Sequence, residues 1–83
     1  MNVRDEIAAR LTAAFAPQEL EIENESHRHA GHAGDDGSGD SHYRIRIRAA
    51  SLAAMGRVDR HRAVNRALGD LTTRIHAIAL DIG

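Results

Sequence analysis

Near its start the chain sets apolar residues four apart, at Val3, Ile7, Leu11 and Phe15, with Arg4, Asp5, Glu6 and Arg10 at other positions. That period predicts an amphipathic helix with one stripe turned to a core. Asn2 offers an N-cap with Asp5 three residues on, and Pro17 stops the helix. The pattern then changes to strict alternation. In ELEIEN, Leu20 and Ile22 fall on one side and Glu19, Glu21 and Glu23 on the other; in HYRIRIRA, Tyr43, Ile45 and Ile47 alternate with Arg44, Arg46 and Arg48. Both stretches read as half-buried strands. Their acidic and basic outer faces favour an antiparallel hairpin of residues 19–24 with 43–48, each facing pair contributing about 0.2–1 kcal/mol.

Residues 50–57 form a short connection with a helical turn. Apolar spacing resumes through His61, Val64, Leu68, Leu71 and Ile75, which predicts a second helix over about residues 59–73, capped by Gly56 or Asp59. The closing run IHAIALDI, residues 75–82, is apolar on both faces and rich in β-branched residues, as a strand covered on one side and paired is. A helix between the second and third strands implies that those strands are parallel, joined by a right-handed crossover. The expectation is therefore an α+β fold of order αββαβ, with a three-stranded mixed sheet and both helices on one face. Residues 1–83 make one domain, and a domain this small buries only about 60% of its unfolded surface.

Between the hairpin strands runs ESHRHAGHAGDDGSGDSHY, which holds four of the six histidines and little that can be buried. Its Gly, Asp and Ser content predicts a long flexible loop at about residues 25–41, mobile over 27–40 in the isolated protein. The chain has no cysteine, so disulfides and thiolate ligands from this chain are excluded and a metal would be held by His or carboxylates. No run approaches the about 20 apolar residues of a membrane span, and a soluble, cytoplasmic protein, monomeric when alone, is expected. The formal net charge of −1 argues against a strongly basic nucleic-acid binder.

The topology gives the histidines a meeting place. Parallel strands start at the same end, so His42 opening the second and His76 opening the third lie together at one edge of the sheet, about 4.8 Å from strand to strand. The loop enters at that end, bringing His27, His29 or His32 within reach of His76. A single histidine at a strand start is more often structural than a ligand, and His61 is read as structural too. No HxxxH or HExxH spacing marks an autonomous zinc site. Two convergent imidazoles make a half-site that another molecule completes.

Four patches in order carry a family likeness: Leu20-Glu21-Ile22 up to Glu25-Ser26, Ser41-His42-Tyr43, Arg60-His61-Arg62, and Ile75-His76-Ala77-Ile78-Ala79-Leu80. Over nearly its whole length the chain resembles the BolA family, whose KH-like αββαβ fold agrees with the order read above. The resemblance implies a monothiol glutaredoxin partner and a two-iron two-sulfur cluster shared with that partner and glutathione, with none expected in the isolated chain. By motif position it implies His29 and His76 as the ligands, with His27, His32 and His42 as alternatives. Imidazole in place of thiolate on one iron raises a cluster's potential. Leu52 and Ala54 depart from the Phe and Gly frequent in the family, and Asn65 from a usual ring.

The function expected is an adaptor in iron-sulfur cluster handling or iron and stress signalling. The alternative is a nucleic-acid-binding transcriptional regulator, resting on the KH-like fold and on Arg57, Arg60, Arg62 and Arg66. A KH domain grips the nucleic-acid backbone with a GxxG loop, and here Gly56-Arg57-Val58-Asp59 ends in an acidic residue that opposes phosphate. DNA contacts should then be weak and salt-sensitive. An enzyme is not expected, since no nucleophile with its base and no paired carboxylates stand out.

Overall fold

The computed structural model describes residues 2–25 and 42–83. Helix α1 spans Val3–Phe15, strand β1 Glu19–Asn24 and strand β2 His42–Arg48; helix α2 (Ala50–Ala53), helix α3 (Arg57–Leu68) and helix α4 (Leu71–Arg74) lead to strand β3, Ala77–Ile82. The sheet order is β1-β2-β3. β1 runs antiparallel to β2 with Glu21 opposite Arg46 and Ile22 opposite Ile45, and β2 runs parallel to β3 with His42 opposite Ala77. The expected αββαβ order and mixed sheet are both present. The long helices α1 and α3 lie on one face, with α2 and α4 as single turns between the main elements.

The apolar stripes meet in one core. Ile7 and Leu11 of α1, Ile45 and Ile47 of β2, Leu52, and Val64, Leu68 and Leu71 are fully buried, with Tyr43 and Ile75 closing the layer. Leu52 is fully enclosed in α2. Asn2 caps α1 as its sequence suggests, its side-chain oxygen accepting from the Asp5 amide at 2.8 Å. The helix ends at Phe15, and Ala16 turns the chain with φ +45° before Pro17.

Three boundaries differ from the expectation. The second helix is broken: α3 ends at Leu68, Gly69 adopts φ +57°, and α4 restarts two residues later. Periodicity overlooked the break because Leu71 and Ile75 stay buried on both sides of the turn. β3 starts at Ala77 rather than at residue 75, since Ile75 turns into the core before sheet pairing begins. The third difference is Glu25, assigned above to the loop but buried at the end of the hairpin, where its amide donates to the His42 carbonyl at 2.9 Å. The rest of the loop, including the expected mobility of residues 27–40, lies outside the described residues.

The turn at Gly69 is clamped to α1 by charge. Arg10 donates to the Leu68 carbonyl and, at 2.7 Å, to Asp70; Arg74 reaches Glu6 at 3.0 Å and Asp70 at 3.3 Å. These cations lower the Glu6 carboxyl from its ordinary 4.5, chiefly through the Arg74 hydrogen bond, and the Asp70 carboxyl from 3.8, chiefly through Arg10 and then Arg74. Both carboxyls bind protons less readily in the folded state than in the unfolded one. Their contribution is therefore present above the unfolded values and lost as pH falls through the folded ones. The urea midpoint should hold steady from pH 7 to about pH 5 and drop below it, with a shallower drop in the Glu6→Gln, Asp70→Asn double variant. Equal pH slopes for both proteins would show that the clamp does not form in solution.

Candidate metal-ligand edge of the sheet

Alternation along β2 turns Tyr43, Ile45 and Ile47 into the core and sends His42, Arg44, Arg46 and Arg48 to the open face. The central strand thus carries a row of cations headed by an imidazole. Glutamates take up part of this charge: Arg46 meets Glu19 at 2.7 Å and Glu21 at 3.9 Å, and Arg44 meets Glu25 at 3.5 Å. Arg48 turns the other way, donating to the Asp81 carbonyl and carboxylate of β3, both at 2.9 Å. The arginines of β2 are thereby committed largely to holding three strands together.

At the head of the row the parallel register does what the topology predicts. His42 stands opposite Ala77, so His76 lies one residue before the pairing, and the two rings approach with centroids 5.2 Å apart and planes tilted by 59°. His76 is exposed and His42 half-buried. Both are held by their surroundings. His42 is tied to β1 through the Glu25 amide and to β3 by register, while His76 sits between buried Ile75 and paired Ala77. An all-imidazole donor pair suits zinc, copper, nickel or iron. Among the described residues no group of three or more His, Cys, Asp or Glu side chains is placed to hold a metal ion. His27, His29 and His32 lie outside the described residues.

The second candidate surface, the start of α3, is only partly available. Arg60 donates to the Met55 carbonyl at 2.9 Å and the Ala53 carbonyl at 3.2 Å, closing the end of α2. His61 sits 3.1 Å from the Arg57 carbonyl through Nδ1, in keeping with a structural role. Arg57, Arg62 and Arg66 are exposed, and Arg62 and Arg66 stand one turn apart on one face, beside Met55, Asp59 and Ala63. Sequence reading missed the role of Arg60, because a helix-start arginine that closes a preceding turn has no spacing of its own. It also missed Glu25, which opens the polar run just after the last residue of the alternating strand pattern.

Comparison with known proteins supplies the context. A family model described as BolA-like protein matches residues 11–82. A Sinorhizobium sp. protein encoded in the cobS 5′ region is 46% identical over 83 residues, covering 98% of this chain and 89% of that one. The Escherichia coli protein named DNA-binding transcriptional regulator BolA is 35% identical, covering 96% of this chain and 73% of its own length. Among solved structures, BolA1 from Arabidopsis thaliana superimposes with a TM-score of 0.83 at 33% identity, covering 99% of this chain and 90% of that one. No helix among the described residues is long and apolar enough to cross a membrane.

Proposed function

Because this chain belongs to the BolA-like protein family, we propose that it is an adaptor that pairs with a monothiol glutaredoxin and lends imidazole ligands to a two-iron two-sulfur cluster held jointly with that partner and glutathione. The observation that carries the reading is the exposed His76 just before β3, its ring beside that of His42 at one end of the sheet. His76 is the strand-fixed ligand, and His29 is the second by motif position. Such a cluster supplies redox-active iron at a potential raised by imidazole ligation. The chain's own part is to present ring nitrogens to the partner at that end of the sheet. The role is that of a binding partner, not a catalyst. Co-purification with a monothiol glutaredoxin under anaerobic conditions, followed by an absorbance spectrum, tests it: a coloured heterocomplex is expected, and a colourless or absent one refutes the reading.

A second reading, DNA binding, is favoured by one observation, the exposed Arg62 and Arg66 on one face of α3, alongside the name of the Escherichia coli relative. Two shared-face cations neutralise about two phosphates, which gives a logarithmic salt slope of only about −2. Replacing Arg62 and Arg66 by Ala should then remove most of that slope, whereas Arg60→Ala should lower the melting temperature instead. Binding isotherms on duplex DNA at several salt concentrations check this. Tight, sequence-selective binding at physiological salt would make DNA the main partner.

A further inference from the structure

The two margins of the sheet are built differently. β1 closes one side and every second residue of it is a glutamate, Glu19, Glu21 and Glu23; such charges keep an unpaired strand from joining another. β3 closes the other side, and its residues AIALDI hold one charge, no lysine and no proline, in unbroken register with β2. That charge, Asp81, is turned back onto Arg48 of β2 at 2.9 Å. By composition β3 is an interior strand, yet it stands at a margin. The Gly83 amide donates to the Ile47 carbonyl at 3.1 Å, so alternation aims the amides and carbonyls of Ala77, Ala79 and Asp81 at β2 and those of Ile78, Leu80 and Ile82 outward. The outward groups have no partner among the described residues. The side chains of Ile78, Leu80 and Ile82 pack against the core but stay half-buried, whereas Ile45 and Ile47 on β2 are fully enclosed.

We propose that this margin pairs with a second copy of the chain, β3 antiparallel to β3 about a two-fold axis at Leu80, joining two three-stranded sheets into one of six strands. A two-fold contact uses the same patch on both copies, so the strand must complement itself. Centred on Leu80, it does. Ile78 then faces Ile82 of the second copy and Leu80 faces Leu80, which matches all the outward residues with one another and gives about six hydrogen bonds, two to each pair. The helix layers of both copies fall on one side of the joint sheet, where the half-buried apolar side chains cover each other. On the open side Asp81 faces Ala79, so the acidic groups do not meet, whereas parallel pairing in register would set Asp81 against Asp81. The same axis puts the two His76 residues at opposite ends of the joint, about 27 Å apart, roughly eight residues at 3.4 Å each. The inference does not rest on the function proposed above. So short a joint is a small interface, which makes the dimer weak. The expectation of a monomer from sequence changes here, because sequence does not show which strand forms the margin.

Sedimentation equilibrium of the full chain tests the pairing. The mass should rise from the 9.0 kDa of one chain toward twice that value as the concentration goes from about 10 µM to about 1 mM. Two substitutions at Ala79, exposed on the open face, read the register. Ala79→Lys sets a cation against Asp81 of the second copy and Ala79→Asp a like charge, each contact being made twice by symmetry. Dimerisation should strengthen about two- to thirtyfold in the first and weaken by as much in the second. Within one chain the order is reversed: Ala79 stands opposite Arg44 of β2, where Asp is the favoured neighbour and Lys the disfavoured one, so chain stability alone gives the opposite ranking. Amide hydrogen exchange at both concentrations locates the surface. The amides of Ile78, Leu80 and Ile82 should become protected only in the concentrated sample, those of Ala79 and Asp81 in both. A chain that stays monomeric at about 1 mM, a dimer whose outward amides still exchange freely, outward amides already protected in the dilute monomer, or Ala79 variants that move association in the same direction would each overturn the proposal.

Discussion

In complex with a monothiol glutaredoxin, the His76→Ala protein is expected to lose the cluster spectrum that distinguishes the heterocomplex, leaving that of the glutaredoxin homodimer, whose ligands are all sulfur. The effect should be complete. The backbone on either side of His76 is fixed by buried Ile75 and by the pairing of Ala77 with His42, so a neighbouring residue cannot turn in to replace it. His29→Ala should do less, because His27 and His32 lie in the same stretch of sequence and can substitute with some loss of geometry. His42→Ala gives the discriminating result: a loss seen there and not in His29→Ala places the second ligand on β2. Visible absorption and circular dichroism of the anaerobic complexes are the measurement. A His76→Ala heterocomplex with an unchanged spectrum would falsify the assignment.

The second large effect concerns the fold. Ile45 lies fully buried at the centre of β2, opposite Ile22 on one side and Leu80 on the other. Ile45→Ala should cost about 2–5 kcal/mol, and Ile45→Val only about 0.5–1.5 kcal/mol. Small domains sit toward the lower end of the usual 5–15 kcal/mol or so of stability, so the Ala protein should be appreciably unfolded at 37 °C. Urea denaturation followed by far-ultraviolet circular dichroism reads both values. A cost for Ala no larger than that for Val would mean that the strand centre repacks around the gap and is less tightly enclosed than the structure shows.

Elements whose residues alternate or recur on a single period were legible in advance. Glu19–Asn24 and the arginine row of β2 each encode a face, and their opposite charges encode their pairing. The parallel placement of His42 and His76 followed from a helix standing between two strands, a matter of connectivity alone. What was not legible depends on single backbone angles or on side chains that bond to carbonyls. Gly69 breaks a helix whose apolar spacing continues past it, and the Gly-Asp pair at 69 and 70 is the local sign that the spacing masked. Arg60 resembles its neighbours Arg57 and Arg62 in sequence, yet it caps α2 while they face outward. Distances such as the 5.2 Å between imidazoles require the register of three strands at once, which no short pattern carries.

The seam between β2 and β3 also sets a clock. β3 is an outer strand joined to the sheet along one parallel ladder, reinforced near its far end by Arg48 gripping Asp81. Outer strands can detach while the remainder stays folded, and parallel pairing is slightly the weaker kind. The two imidazoles stand on opposite sides of that seam, so a detachment of β3 would part them before the rest of the fold opened. Any ion or partner that grips both rings closes the seam from the end opposite Arg48. On the proposed function, a partner held at the histidine edge should therefore slow the peeling of β3.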